Sequence, residues 1–527
     1  MVRARVFAAA SVAALLGACG GGDSGGSAPP IQVPPVTSLP VTLPVTLSAT
    51  SADIDVAEGQ TADFGFTATY TGTSTQPVVA DVAVGADRYQ LVGTPTASGS
   101  SFTVALRTAA LAPGGETTST VTFRLCTSTS CSTVYPGSTQ SFTVNLDVQL
   151  KDWSTFQRDA AHTGYVAVNY DTARFADAWS VTTPLRAKGV AARRGSVFYN
   201  TVLPTGRLVT RSINAASGQQ QWETDLGTGN YFSAPAYANG RVVSMAMDLS
   251  SGAIPMPILA ASDGKVMGSL SYDSQFSNGG TPTPFGDDLY YQSGYYGNVV
   301  FGANAATFSR TWRTDATQSS RGFVHEGQSV AVDGSSVYFF GGGDLTILNR
   351  ASGAVTRRVA NPYFTKFGLS YFGVYHGAPI LDGAGRIVTF TDNRSPTTAL
   401  PLVAFGPTGT DPLWRSSGSY VGHPALRAGR LYAIRAGTAI VDMINMENGS
   451  VVGSINLGDD KGQLTSNIVL TGSHLFVASD TATYAVDLRA TTPAVVWSRP
   501  RGGSLAITPD NLLVVTNATG VSAYRLH

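Results

Sequence analysis

Ile213-Asn214-Ala215-Ala216-Ser217-Gly218-Gln219-Gln220-Gln221-Trp222 carries an apolar run into a Ser-Gly turn and places an indole four residues after the glycine. The same turn-and-slot unit returns along the chain. Ser262-Asp263-Gly264 leads to Gly268, Ala351-Ser352-Gly353 to Arg357, and Glu447-Asn448-Gly449 to Gly453, while Ala303-Asn304-Ala305-Ala306 precedes Trp312 without a glycine. With Trp179, Trp414 and Trp497, the slots fall at 179, 222, 268, 312, 357, 414, 453 and 497, and their spacings are 43, 46, 44, 45, 57, 39 and 44 residues. A period in the low forties with several short strands per unit is the signature of a propeller blade, and a helical repeat of that length would show 3.6-residue periodicity instead.

Upstream of the slots, turn-led apolar runs such as Asn239-Gly240-Arg241-Val242-Val243 and Gly429-Arg430-Leu431-Tyr432 read as hairpins between a blade's first two strands. After Trp497 three runs remain (505 to 508, 512 to 516, 521 to 526), whereas an unpartnered slot strand stands at Ala178-Trp179-Ser180. Joining the two ends completes an eighth unit and removes exposed sheet edges. The expected fold is therefore all-β: an eight-bladed β-propeller over 151–527, closed by its N-terminal strand, with Trp179, Trp222, Trp312, Trp414 and Trp497 docking blade on blade.

The beginning of the chain has another texture. Arg3 and Arg5 precede an apolar run from Val6 to Leu16, and Leu16-Gly17-Ala18-Cys19 has the aliphatic-small-small-Cys pattern of a lipoprotein signal. The expectation is a signal peptide over 1–18 and lipidation of Cys19, with several acyl chains giving stable membrane attachment. By resemblance to bacterial lipoproteins, Gly20 in place of an Asp favours the outer membrane, facing the periplasm, with cell-surface exposure as the alternative. Residues 19–46, rich in Gly, Ser, Pro, Val and Thr, form a flexible linker. Alternating runs rich in Val, Thr and Phe over 47–150 predict a small immunoglobulin-like β-sandwich. Within it, Cys126 and Cys131 flank four residues, a spacing that lets a turn bring the thiols together in an oxidising compartment.

Lys plus Arg and Asp plus Glu number 34 each, and only 13% of residues are charged, so no basic stripe for nucleic acid is present. No Walker loop or His-Glu-x-x-His helix is present, and Gly-x-Ser-x-Gly occurs only as Gly22-Asp23-Ser24-Gly25-Gly26 in the Gly/Ser-rich linker, not as an elbow. Turn acids such as Asp263, Asp333 and Asp382 read as turn-stabilising. His325, His376 and His423 each stand near the start of an inferred inner strand, but at different offsets, so they are read as separate residues and no metal site is predicted. The unit of 57 residues contains Tyr363, Phe364, Phe367, Tyr371, Phe372 and Tyr375, a candidate interaction patch because large rigid side chains anchor interfaces.

Asp152-Trp153-Ser154-Thr155-Phe156-Gln157-Arg158-Asp159-Ala160-Ala161-His162-Thr163-Gly164 resembles the entry segment of propellers of the pyrroloquinoline-quinone-repeat superfamily. That superfamily holds quinone-dependent dehydrogenases and BamB-like lipoproteins of the outer-membrane assembly machinery. No cysteine lies between 132 and 527, which excludes the vicinal pair common in the dehydrogenases. The resemblance implies a non-enzymatic, lipid-anchored scaffold that binds envelope proteins, without a cofactor and with a small-molecule ligand not expected. A quinone-dependent periplasmic dehydrogenase and a glycan-binding propeller are the alternatives.

Overall fold

The computed structural model describes residues 41–527 apart from 86, 186–188, 229–230, 248–251, 275–279, 294–298, 316–328, 342, 365–377 and 393–397. Every long element is a strand, and the helical turns among the described residues are two short 3-10 segments, Thr172–Arg174 and Asp459–Lys461. No described helix is long and apolar enough to cross a membrane.

The alternating runs of the first region pair into two sheets. One places Val45–Leu47, Asp63–Tyr70, Ser101–Thr108 and Tyr89–Leu91 side by side, with Thr96–Ser98 hairpinned onto Ser101–Thr108. The other has the order Ser51–Ala57, Gln140–Gln149, Gly115–Cys126, Val79–Ala83, and its first two strands run parallel. Period-two alternation aims Phe66 from the first sheet and Phe123 and Phe142 from the second into one core, with the Phe66 and Phe142 rings stacked 4.7 Å apart.

From Ala191 onward the strands group into successive antiparallel sheets of four. The first is Ala191–Arg193, Ser196–Val202, Arg207–Asn214 and Gln220–Thr228, and the pattern returns with first strands at Ala236–Ala238, Thr283–Phe285, Ala331–Val332, Ile380–Leu381, Tyr420–Arg427, Val469–Thr471 and Ser504–Ile507. The seventh sheet gains a fifth strand, Tyr165–Val166, parallel to Val469–Thr471. In the eighth, Ala176–Thr182 supplies the fourth strand and runs antiparallel to Gly520–Arg525 from the other end of the chain.

A β-bulge immediately precedes the slot in every one of these fourth strands. Ser212 pairs with Trp222 and Ile213 with Gln220, which leaves Gln221 unpaired. The same skip occurs before 268, 312, 357, 414, 453, 497 and 179. An extra residue bends the strand and re-aims the next side chain. The slot side chain therefore turns out of its own sheet toward the following one, while the skipped residue faces water, as at Met267, Leu413, Val452 and Val496.

Apolar packing is continuous from the first region into the repeats. One buried cluster runs from Phe123 and Val144 through Trp153 and Tyr170 to Phe476, Leu505, Val514 and Leu526, so the sandwich and the seventh, eighth and first sheets share a core.

Candidate functional site

Residues 153–164 thread the middle of the eight sheets and bond to their first strands one after another. Trp153 exchanges main-chain hydrogen bonds with Ala192 at 3.0 and 2.9 Å. Tyr237 N–H donates to the Ser154 carbonyl at 2.8 Å, and the Thr155 hydroxyl donates to Pro282 O at 2.9 Å. Ala160, Ala161, Thr163 and Gly164 then accept from Val332, Leu381, Leu426 and Leu470, in the fourth to seventh sheets, at 2.8 to 3.0 Å. Asn467 completes the circuit by donating to both Gln157 Oε1 and Leu505 O, the latter in the eighth sheet.

The local sequence explains how so short a segment turns its polar groups outward in succession. Gln157, Arg158, His162 and Gly164 all have positive φ, which folds the chain tightly. Asp159 fixes the turn by accepting from Ala161 N–H, Thr163 N–H and the Thr163 hydroxyl. At Gly164 an added Cβ would meet Gln157 Nε2 at 2.8 Å and Ile468 O at 2.9 Å, so a side chain there has no room.

His162 and His423 meet at Phe156, whose ring lies 6.4 and 4.8 Å from theirs. Both imidazoles are buried and face main-chain carbonyls. His162 Nδ1 and Nε2 lie 2.6 and 2.8 Å from Phe156 O and Val330 O, and His423 contacts Pro424 O and Ala378 O. Burial pushes His162 below the usual histidine range against the pull of those carbonyls and of Asp159, and pushes His423 down to about 4. A neutral ring donates to only one of its two carbonyls, so each imidazole makes one such bond, and its burial presents no free base to solvent. His325 and His376 fall outside the described residues.

The axial segment also meets the sandwich. Glu58 and Arg158, 5% and 4% exposed, form a two-point ion pair, with Arg158 Nη1 2.9 Å from Glu58 Oε1. Arg158 donates as well to Tyr165 O, and Glu58 accepts from the N–H groups of Ala167 and Lys151 at 2.5 and 3.1 Å. Burial raises the Glu58 carboxyl, but Arg158 and the two amides outweigh it and hold the group below its ordinary value. Beside this pair, burial raises Asp152 and Asp510 against the opposing charge of Arg193.

The slot side chains have a repeated partner. The indole N–H groups of Trp179, Trp222, Trp312 and Trp414 donate to Ala215, Ala261, Arg350 and Met446 carbonyls at 2.7, 3.1, 3.0 and 3.0 Å, each in the third-to-fourth-strand turn of the following sheet. The turn glycine lies flat against the ring: an added Cβ at Gly218, Gly264, Gly353 or Gly449 would stand 2.5 to 2.7 Å from Trp179, Trp222, Trp312 or Trp414. Where the slot is Gly268 the arrangement inverts, because Phe308 of the next turn fills the space. At Arg357 a guanidinium donates to Gly406 O in place of an indole. Trp497 differs from these. Its buried indole nitrogen has no hydrogen-bond partner, and it packs on Phe175 and Tyr524.

Cys126 and Cys131 are joined in a disulfide with Cα atoms 5.0 Å apart. Asp81 lies near these sulfurs, but its carboxylate is held by Arg124 at 2.7 Å and the thiols are spent in the bond. Of the aromatic patch, Tyr363 is exposed, with the Arg415 guanidinium 5.3 Å from its ring centroid, and Phe364 is half-buried. Phe367, Tyr371, Phe372, Tyr375 and Cys19 lie outside the described residues. Turn roles hold for the acids: Asp333 accepts from Ser335 and Ser336 N–H, and Asp382 from Ala384 and Arg386.

A family described as the outer membrane protein assembly factor BamB matches residues 205–452. Over those residues the chain is similar to a PQQ-repeat-like β-propeller. Among solved structures, the propeller is similar to BamB from Moraxella catarrhalis, at 16% identity over 67% of this chain and 99% of that one, with a TM-score of 0.46. It is also similar to the quinohemoprotein alcohol dehydrogenase ADHIIG from Pseudomonas putida HK5, at 12% identity over 71% of this chain and 80% of that one, again with a TM-score of 0.46. No curated protein matches the propeller.

One space beside the axial segment bears on whether a quinone cofactor could lie there. At the level of the first strands, the described residues leave about 20 Å³ between Trp153, Phe156, Gln157, Asn467 and Leu505. Small-molecule sites need roughly 300 Å³ or more. The residues present there do not fit a tricyclic quinone.

Proposed function

We propose that the protein is a non-enzymatic scaffold of the bacterial envelope that binds other envelope proteins through the rims of its propeller. In this reading the eight sheets are the blades of one ring, closed by Ala176–Thr182, and an immunoglobulin-like sandwich precedes it. Cys19 carries the lipid anchor, with the propeller on the periplasmic face of the outer membrane.

The observation that carries the reading is the filled axis. Propellers that act on small molecules need a channel or mouth, and here the chain spends residues 153–164 on the hydrogen-bonding groups of its own first strands. That leaves the outer surfaces for recognition. Tyr363, exposed beside Arg415 in the enlarged fifth unit, offers a ring and a guanidinium of the kind that anchor protein interfaces. Balanced charge supports partners recognised by shape and apolar contact rather than by long-range steering.

Affinity capture of the full chain from detergent-solubilised envelopes, followed by identification of what co-purifies, tests the proposal. Stable recovery of one or more envelope proteins, reduced by Tyr363→Ala, is the expected result. Recovery of the protein alone, together with turnover of an alcohol or sugar by the purified chain, would reject it.

A further inference from the structure

At the junction of the seventh and eighth sheets the repeating lock is missing. Four indoles elsewhere donate to a carbonyl in the next sheet's third-to-fourth-strand turn. The eighth sheet has no such turn, because its third strand ends near Arg525 and its fourth begins at Ala176. Trp497 accordingly keeps a buried N–H without an acceptor.

The sandwich sits on this same place. It rests on the turns between the first and second strands of the seventh, eighth and first sheets. Leu111 lies against Gly472, and Gly114 and Gly115 lie against Asn511. His527 Nε2 is 2.9 Å from Glu116 O, Arg194 reaches Asp147 at 3.4 Å, and Pro113 bridges Asn169. Beneath these contacts lies the Glu58–Arg158 pair, and the buried core runs through the junction without interruption. Contacts gather where the ring lacks its own turn.

We propose that the sandwich is an intramolecular clasp: it holds shut the seam between Ala176–Thr182 and Gly520–Arg525, in place of the missing turn. The inference rests on the closed-ring reading above. Its physical basis is that a two-stranded joint made from segments far apart in the chain has no covalent turn to limit fraying. A buried ion pair that loses one partner leaves an uncompensated charge, so Arg158 keeps the axial segment seated only while Glu58 is above it.

Hydrogen–deuterium exchange on the full chain tests the clasp, with Glu58→Gln as the main variant. Gly114→Ala, whose Cβ would meet Asn511 Oδ1 at 2.2 Å, lifts the sandwich without touching the buried charges. Asp63→Asn, at the exposed Arg107 pair, is the control. Exchange at 176–182 and 520–525 should rise more than about tenfold in either clasp variant, from opening local to the seam, while 299–304 and 344–349 stay unchanged. Seam protection equal to wild type in both variants would overturn the clasp and leave the closed ring standing. Equal loss of protection in all sheets would also overturn it, since the pair would then serve global stability. Unprotected seam amides in the wild type would instead reject the closed ring itself.

Discussion

A slot indole and the glycine of the following turn act as one unit, and substitutions at either side should show it. Trp312→Ala removes a ring only 9% exposed and leaves Arg350 O without its donor, so it should cost about 3–5 kcal/mol in denaturant unfolding. Trp312→Phe keeps most of the apolar contact and should cost less. Gly353→Ala is the reciprocal probe: φ of +70° and a Cβ 2.5 Å from the ring should make it destabilising by more than the about 1 kcal/mol of an ordinary positive-φ glycine. If Trp312→Ala fell within about 0.5 kcal/mol of wild type, the ring would have no locking role.

Acid sensitivity is also decided residue by residue. The folded Glu58 carboxyl lies below its ordinary value of 4.5, so its contribution is complete above that value and disappears as pH falls through the depressed folded pKa. His423 and His474 act at higher pH. Burial lowers both to about 4 from 6.5, so the unfolded chain takes up protons first and stability should decline as pH falls from 6.5 toward 4. Thermal melts across that range should show the decline, and Glu58→Gln should remove only the more acidic part of it.

At the scale of elements, the axial segment is the piece that relates all eight first strands to one another. Gly164→Val should displace the Gln157 side chain, push the segment away from Ile468 and raise exchange at the Leu426 and Leu470 amides. The disulfide belongs to the sandwich and closes a short loop. Replacing both cysteines with serine should cost about 2 kcal/mol at most, read as a shift in the unfolding midpoint.

Strand pattern and slot position were legible because they depend on local order: a period of two, a turn glycine, and an aromatic four residues on. The bulge that aims each slot was not, since skipped residues such as Gln221, Thr311 and Leu413 share no chemistry. Nor was the course of residues 153–164. Most of its bonds run through main-chain groups that leave no mark in side-chain identity, and they join positions as far apart as Gly164 and Leu470. The entry resemblance picked out Trp153, His162 and Gly164, but it gave them no place.

For the whole molecule, the proposed scaffold role assigns recognition to regions other than those that supply stability. The axis is bonded to the first strands and the sandwich junction shares a buried core, whereas exposed features such as Tyr363 and the skipped bulge residues lie outward. An enzyme of the quinone-dependent kind needs the opposite arrangement, with space and unpaired polar groups near the axis. The filled axis is the central claim, and it is tested most directly by titrating the purified full chain with pyrroloquinoline quinone and calcium while following cofactor absorbance and dye-linked alcohol oxidation. The expected result is no saturable binding and no turnover. Stoichiometric quinone binding with calcium-dependent turnover would contradict it.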